Sequence, residues 1–143
     1  MPKQILEKII SKSIKANPDI IGHKLHNNPM AYNRTHCDFE YFDRKGNVYF
    51  LECKETKTGR FEFSRFTQLN SLLYYNNFAN YMKGYLVLMF RHKPLRESKI
   101  YMIPVRLMSA YILRSKKRSI NEKECDLNFK KFELNFNGKL VYL

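Results

Sequence analysis

The hydrophobic pattern near the N-terminus predicts an amphipathic helix over residues 3–15. Its apolar residues recur at helical spacing and cover about one half of the helix: Ile5, Leu6, Ile9, Ile10 and Ile14. Glu7 falls at the edge of this apolar half. Asn17-Pro18 ends the helix. Residues 17–34, rich in Asn, Pro and His, are predicted to form a connection with little regular structure.

Two aromatic-rich segments on either side of DRKGN predict a β-hairpin. The strands are expected over residues 35–42 (THCDFEYF) and 48–54 (VYFLECK), with Gly46 available for a positive φ in the turn. If the turn centres on Lys45, the numbers of paired residues sum to 90. This register places Asp38 opposite Glu52.

The rest of the chain alternates between predicted helices and strands. The pattern predicts, in order, a helix that follows Ser64 as N-cap and stops near Gly84, a buried strand over 85–91, a strand over 99–103, a helix from Pro104 to about Leu113, and a hairpin around Asn137-Gly138. This order predicts an α/β fold with a mixed β-sheet flanked by helices. The length of 143 residues predicts one domain over residues 1–143.

The charge of the chain points to a polyanionic partner. Lys and Arg total 26 against 13 Asp and Glu, which gives a formal net charge of +13. Such an excess repels itself within a small protein and favours nucleic acid as the partner. The alternative is that the base composition of the source favours Lys and Asn codons. A membrane partner is not expected, because the basic residues are spread along the chain without forming a basic amphipathic helix.

The cysteines and the apolar runs predict a cytoplasmic protein. Cys37, Cys53 and Cys125 are odd in number and form no CxxC motif, which is typical of a reducing compartment. The longest clean apolar run, residues 85–90, is too short to span a bilayer. The charged N-terminus has no signal-peptide core.

The second predicted strand ends with two charged residues on one face. Residues two apart on a strand share a face, so Glu52 and Lys54 point together and Cys53 points into the opposite core. Asp38 would then face Glu52, and two such carboxylates repel each other unless a cation lies between them. Mg²⁺ or Mn²⁺ prefers oxygen ligands of this kind. Asp38 and Glu52 are therefore candidate metal ligands for phosphodiester hydrolysis, with Lys54 orienting or deprotonating the attacking water.

The spacing D/E-x-K is not specific by itself. It occurs at Asp43/Lys45, Glu52/Lys54, Glu55/Lys57 and Glu97/Lys99. Only Glu52/Lys54 ends an apolar strand with a second acid expected across a hairpin. The alternative for that pair is a salt-bridged strand end at an exposed sheet edge.

The segment DFEYFDRKGNVYFLECKETK resembles the signature of the PD-(D/E)xK nuclease superfamily, in which an Asp, about a dozen residues and E-x-K close a metal site. Within it, the chain is most similar to RecU-type Holliday junction resolvases and their small phage relatives. Residues 52–56 match their E-A-K-E-T stretch, and Phe61, Phe63 and Gln68 match the Phe-rich segment and Gln-bearing helix that follow. The Pro of the superfamily motif is missing here, since Cys37 precedes Asp38.

The resemblance implies a restriction-endonuclease-like fold and a homodimer that cuts two opposed strands of a four-way DNA junction with Mg²⁺. It implies that Asp38 and Glu52 bind the metal and that Lys54 is the catalytic lysine. A glutamate on the N-terminal helix completes such sites, and Glu7 stands in that place; a solvated helix glutamate is the alternative. Gln68 is a further candidate for contact with the water or a phosphate, and an ordinary polar residue in a first helical turn is its alternative.

Two groups of basic residues are candidates for DNA binding. Lys57, Arg60 and Arg65 flank the candidate site, and residues 116–118 (Lys116, Lys117 and Arg118) form the densest basic cluster. Solvated surface charge is the alternative for both groups. The sequence thus predicts a metal-dependent, structure-selective DNA endonuclease that resolves Holliday junctions. The alternatives are a restriction-like or repair nuclease on duplex DNA and a non-catalytic basic nucleic-acid-binding module.

Overall fold

A computed structural model of the chain describes residues 5–25 and 37–143. The helices are α1 (Ile5–Ala16), α2 (Leu69–Phe78), α3 (Val105–Ser115) and α4 (Glu122–Phe129). The strands are β1 (Ile20–Lys24), β2 (Phe39–Asp43), β3 (Val48–Thr56), β4 (Arg60–Glu62), β5 (Met82–Phe90), β6 (Lys99–Pro104), β7 (Ser119–Asn121), β8 (Asn135–Phe136) and β9 (Val141–Tyr142). Short 3-10 helices cover Phe63–Arg65, Leu95–Glu97 and Lys130–Phe132.

A five-stranded mixed sheet in the order β1-β2-β3-β5-β6 forms the centre of the fold. Strands β3 and β5 are parallel, and the other neighbouring pairs are antiparallel. Strands β4 and β7 form one small separate sheet, and β8 and β9 form another. The predicted α/β class with a mixed sheet between helices is therefore confirmed.

The central sheet is covered on both faces, which explains the unbroken apolar run of β5. Leu86 and Leu88 belong to the core that also contains residues of α2 and α3. Val87 and Met89 belong to the other core, on the side of α1. A strand buried on both faces has no polar side to alternate with its apolar one, so it reads as a continuous hydrophobic run.

The β2–β3 hairpin forms with the register that the sequence predicts. Phe39 pairs with Leu51 and Tyr41 with Tyr49, and both pairs sum to 90. Gly46 in the turn has a φ of +88°, a conformation that glycine adopts without steric cost. The predictions of strands over 48–54, 85–91 and 99–103 are also confirmed, with β3 and β5 longer than expected.

The prediction that residues 17–34 lack regular structure is wrong for β1. This strand pairs with β2 along its whole length, from Ile20 opposite Asp43 to Lys24 opposite Phe39. The strands approach so closely that a Cβ on Gly22 would lie 2.3 Å from the Glu40 carbonyl oxygen. A short segment that contains Gly and His has little intrinsic preference for a strand. Here the backbone pairing with β2 stabilises the extended conformation. Residues 26–36 lie outside the described residues, as do residues 1–4, of which residues 3 and 4 belong to the predicted N-terminal helix.

The helix predicted to follow Ser64 begins later and ends earlier than expected. Strand β4 and a 3-10 turn precede it, Gln68 stands at the N-cap position of α2, and β5 already begins at Met82. Phe61 in β4 is fully buried and pairs with Ile120 of β7. This long-range pairing holds the segment extended, and no local pattern reveals it.

Strand β7 and helix α4 were not predicted, although α4 carries a local signal. The Asn121 side chain accepts a hydrogen bond from the Glu124 backbone N–H, and the Glu124 side chain accepts one from the Asn121 N–H. This reciprocal pattern is a capping box, and an Asn followed three residues later by Glu could have predicted it.

The two C-terminal predictions agree with the structure. Pro104 stands just before α3, which runs to Ser115, and the closing hairpin of β8 and β9 turns at Asn137-Gly138. The Val141 N–H of this hairpin donates to the Ser13 hydroxyl at 2.9 Å and so joins it to α1. Within residues 5–25 and 37–143, every helix is too short or too polar to cross a bilayer.

Candidate active site

The hairpin register brings Asp38 beside the second half of β3. Asp38 directly precedes β2, and its backbone N–H donates to the Leu51 carbonyl oxygen at 2.9 Å. Its side-chain Oδ2 accepts a hydrogen bond of 2.8 Å from the Cys53 backbone N–H. The carboxylate is therefore fixed beside the neighbouring strand, next to the residue that lies between Glu52 and Lys54.

Glu52 is buried in contact with two charged neighbours. Its side chain is 4% exposed, and its Oε2 lies 3.2 Å from the Lys54 Nζ. Burial and, next, the Asp38 carboxylate raise the pKa of the Glu52 carboxyl group to about 8, against the opposing effect of Lys54. Below that pH a proton relieves the repulsion between the two acids, and a cation could do the same above it.

Glu7 lies on the side of the sheet that α1 covers. It lies in the first turn of α1, and its Oε1 is 3.3 Å from the Lys24 Nζ. Burial raises the pKa of Glu7, the Asp38 carboxylate raises it as well, and Lys24 lowers it. The charge of Asp38 therefore acts on Glu7, and the catalytic role of Glu7 remains a prediction.

Cys53 and Gln68 are two further residues near the site, and their surroundings differ. Cys53 is buried in the core on the α1 side, which confirms its predicted core position. Burial raises the pKa of its thiol far above the ordinary value. Gln68 precedes α2, and its Oε1 is buried without a hydrogen-bond partner among the described residues. Its contact with substrate or water remains a prediction.

The four D/E-x-K sequences have four different surroundings. Of them, only Glu52/Lys54 closes into an ion pair within the described residues. Glu55 pairs with Arg91, and Lys99 pairs with Asp126. Asp43 instead accepts hydrogen bonds from the hairpin turn and from Tyr49. The hairpin context that singled out Glu52/Lys54 in the sequence thus corresponds to a distinct environment.

The pairing of β4 with β7 joins the two predicted basic groups. The Arg60 guanidinium donates to the Ser119 hydroxyl at 2.9 Å, and the Phe63 N–H donates to the Arg118 carbonyl oxygen. Lys117 forms an ion pair with Glu124 and lowers its pKa, an effect to which Arg60 contributes. Residues that are almost sixty positions apart in sequence therefore share one basic surface.

Arg65 lies at the end of that surface nearest the acids. Its guanidinium donates to the Glu55 carbonyl oxygen at 3.0 Å and lies 5.4 Å from the centre of the Phe61 ring. Lys57, Lys116 and Arg118 are exposed. Through the contact of Arg65 with Glu55, the residue after Lys54, the basic surface begins beside the acids.

Two cations near the acids were missed by the sequence reasoning. Lys24 pairs with Glu7, and the Arg91 Nη1 lies 3.3 Å from the Glu55 Oε2. Lys24 lies on a strand that was not predicted, and the neighbour of Arg91 is set by the parallel pairing of β3 with β5. No local sequence signal identifies either contact.

Across residues 5–25 and 37–143, no three acidic, His or Cys side chains are grouped so as to hold a metal ion. The site contains two close carboxylates, which is a number that Mg²⁺ commonly takes from a protein along with waters and substrate phosphates. No protein-family model matches the chain. No curated protein matches it either.

Proposed function

We propose that this protein is a Mg²⁺-dependent endodeoxyribonuclease with a restriction-endonuclease-like fold and a single nuclease domain. The observation that carries the proposal is the buried Glu52 beside the half-buried Asp38, with Lys54 at 3.2 Å from Glu52. A protein gains no stability from two neighbouring acids in a desolvated position. Such an arrangement is more typical of a catalytic site.

The residues at the site fit a hard divalent cation. The donors of Asp38 and Glu52 are carboxylate oxygens, which Mg²⁺ and Mn²⁺ prefer. Because the Asp38 carboxylate opposes ionisation of Glu52, a cation that neutralises both would be favoured once Glu52 has lost its proton. When bound, the ion would supply positive charge to the phosphoryl group under attack.

The side chains of the chain itself account for the rest of the reaction. Lys54 stands beside the acids, where its ammonium can hold the attacking water or a phosphate oxygen by charge-assisted hydrogen bonds. The water oxygen forms a new bond to phosphorus, and the bond from phosphorus to the 3′ oxygen breaks. One water proton goes to that leaving oxygen, so the products are a 5′-phosphate and a 3′-hydroxyl. Glu7 and Gln68 are proposed as supporting residues of this site.

The basic surface is proposed to hold the DNA backbone. Its members are Lys57, Arg60, Arg65, Lys116, Lys117 and Arg118, joined through β4 and β7. Each lysine or arginine that contacts a phosphate releases counterions and makes binding salt-dependent. Lys117 is already paired with Glu124, so we expect it to contribute less than Arg65 and Arg118.

Four-way DNA junctions are the substrate that we propose, on the basis of the resemblance to RecU-type resolvases, with a homodimer as the active form. The exposed face of α2 supports self-association. Tyr74 and Phe78 are 67% and 69% exposed. Helix α2 contains no charged residue, although the net charge of the chain is +13. Two copies of a strongly basic protein meet with least repulsion at an uncharged aromatic face.

A non-catalytic binding module is the second candidate function. It is favoured by the closed Lys54–Glu52 ion pair, since a salt bridge at the end of a strand needs no substrate. The buried position of this pair and its proximity to Asp38 favour the nuclease. A restriction-like or repair nuclease would share the site and differ only in its substrate.

One assay separates these functions. The protein is incubated with a labelled four-way junction and with linear duplex of matched sequence, each with EDTA, Mg²⁺ or Mn²⁺. We expect paired, symmetric nicks near the crossover in Mg²⁺ and no cleavage in EDTA. Equal cutting of the duplex would indicate a restriction-like or repair enzyme. Binding of both DNAs without cleavage in either metal would support the binding module and reject the nuclease.

A further inference from the structure

A second lysine–glutamate pair lies on the opposite side of Asp38 from Lys54. The Lys24 Nζ is 3.3 Å from the Glu7 Oε1, and the Lys54 Nζ is 3.2 Å from the Glu52 Oε2. Both glutamates have a pKa raised first by burial and then by Asp38. The two pairs belong to opposite faces of the sheet, because Lys24 lies in register with Phe39 and Leu51, whereas Glu52 and Lys54 point to the other face.

The backbone of β1 fixes the position of Lys24. The strand runs antiparallel to β2 and places Lys24 opposite Phe39, the residue that follows Asp38. The next residue, Leu25, donates its N–H to the Asp38 carbonyl oxygen at 2.7 Å. Lys24 is thus held at the same end of the sheet as the acids by two adjacent backbone contacts.

The surroundings of Lys24 leave room for a second anionic partner. The Lys24 side chain is 42% exposed, compared with 19% for Lys54. An ammonium group has three donors, and a single glutamate oxygen at 3.3 Å uses one of them. A partly exposed ion pair of this kind contributes little to stability, so folding alone gives little reason for it.

We propose that Lys24 is a second phosphate-binding lysine of the candidate site, on the α1 side of the sheet. This inference rests on the proposed nuclease function and specifies how the substrate lies on it. A DNA strand crosses the end of the sheet over Asp38, with one backbone phosphate at Lys24 and another on the side of Lys54 and Arg65. The two lysines, on opposite faces of the sheet, thereby define the direction of the strand.

The test measures DNA binding in EDTA as a function of KCl concentration. Each phosphate contact that is lost reduces the slope of log K against log salt by about 0.9 for duplex DNA. We expect Lys24→Gln to lower the slope by that amount and to weaken binding several-fold. Lys24→Arg should restore both, because the charge returns. Lys45→Gln is the matched control, since Lys45 is an exposed lysine in the turn at the far end of the same hairpin.

A merely structural role for Lys24 predicts a different set of results. If Lys24 only holds Glu7 in place, Glu7→Gln and Lys24→Gln should change binding and cleavage alike. If Lys24 binds phosphate, Glu7→Gln should keep the wild-type salt slope and bind DNA at least as tightly in EDTA, because a repulsive carboxylate is gone. For cleavage in Mg²⁺, Lys24→Gln should raise KM by a larger factor than it lowers kcat.

The outcomes separate this inference from the proposed function. If the wild-type protein cleaves DNA and Lys24→Gln keeps the wild-type salt slope and KM, the role of Lys24 is wrong and the nuclease stands. Equal effects of Lys24→Gln and Glu7→Gln would also overturn it. A wild-type protein that neither binds nor cleaves DNA overturns both proposals together.

Discussion

The β2–β3 hairpin carries an acid near each end, and the two acids have opposite environments. At the turn, Asp43 accepts four hydrogen bonds, from the backbone N–H groups of Lys45 and Asn47, the Asn47 amide and the Tyr49 hydroxyl. These bonds lower the pKa of Asp43 to about 2. At the other end, burial and Asp38 raise the pKa of Glu52 to about 8.

The difference shows how one type of side chain serves two purposes. The charge of Asp43 is satisfied by donors that come with the turn, so its ionisation stabilises the fold. The charge of Glu52 is opposed by burial and by a second acid, so its ionisation destabilises the fold. Both acids occur in a D/E-x-K sequence. Only Glu52 has a raised pKa, which is what a carboxylate expected to bind a cation would show without that cation.

The largest effect should come from exchanging the two carboxylates for amides. We expect Glu52→Gln to reduce Mg²⁺-dependent cleavage at least about a hundredfold, because one of two oxygen ligands loses its charge. Asp43→Asn should retain near wild-type cleavage well below its thermal midpoint. The measurement is the initial rate of junction cleavage at saturating DNA.

DNA binding in EDTA serves as the control for this pair of variants. Glu52→Gln should bind the junction as tightly as the wild type or more tightly, because a carboxylate near the phosphates is gone. Cleavage by Glu52→Gln at the wild-type rate would reject its role as a metal ligand. A comparable loss of cleavage in Asp43→Asn would remove the functional contrast between the two ends of the hairpin.

The pH dependence of stability should differ between the wild type and Glu52→Gln. The folded-state pKa of Glu52 is raised from 4.5 to about 8, so the folded protein holds more protons than the unfolded chain between these values. Stability is therefore lost as pH rises through that range. We expect the wild type to lose about 1 kcal/mol or more relative to Glu52→Gln between pH 5 and pH 8.

Urea unfolding of both proteins in EDTA, at several pH values, measures this difference. The change with pH is the quantity to compare, because loss of the Lys54 partner shifts the stability of Glu52→Gln at every pH. Mg²⁺ should stabilise the wild type at pH 8 and leave Glu52→Gln nearly unchanged, since only a ligand that binds the folded state stabilises it. Parallel pH profiles for the two proteins would contradict the environment assigned to Glu52.

The acid at the turn should behave in the opposite way. The pKa of Asp43 is lowered from 3.8 to about 2, so its stabilising contribution is full above pH 4 and is lost as pH falls through about 2. Asp43→Asn should lower the thermal midpoint at pH 7, because an amide N–H₂ would face donors. The difference from the wild type should shrink as the pH is lowered toward 2. A constant difference in thermal midpoint across this range would show that the charge of Asp43 is not what stabilises the turn.

The sequence made the hairpin predictable because its signals are local. Alternating aromatic residues, a turn with Gly46 and a strand that ends in Glu52 and Lys54 lie within about twenty residues. The register followed from these, and with it the approach of Asp38 to Glu52. Burial of Glu52 could also be anticipated from its aromatic neighbours, although the opposing effects of Asp38 and Lys54 on its pKa could not.

The parts of the site that could not be predicted depend on contacts between segments distant in sequence. Lys24 reaches Glu7 through a strand whose partner, β2, lies beyond residues 26–36. Arg60 and Ser119 meet because β4 pairs with β7 rather than continuing toward α2. Periodicity describes one element at a time, so it identifies the acids and the basic groups but not how the sheet brings them together.

The smallest expected effect is at Lys116, where the contrast between a stabilising role and a DNA-binding role can be tested on the basic surface. Lys116 ends α3 with a φ of +56° and is the only non-glycine residue with positive φ in residues 5–25 and 37–143. The left-handed conformation costs a residue with a Cβ roughly 1 kcal/mol, which glycine avoids. We expect Lys116→Gly to raise the free energy of unfolding by about that amount, whereas Lys116→Ala, which keeps the Cβ, should not.

Both variants remove the same charge, so both should lower the salt slope of DNA binding equally if Lys116 contacts a phosphate. Stabilisation without any change in slope would mean that Lys116 only ends the helix, and Lys117 and Arg118 would then be the remaining members of the basic surface beyond α3.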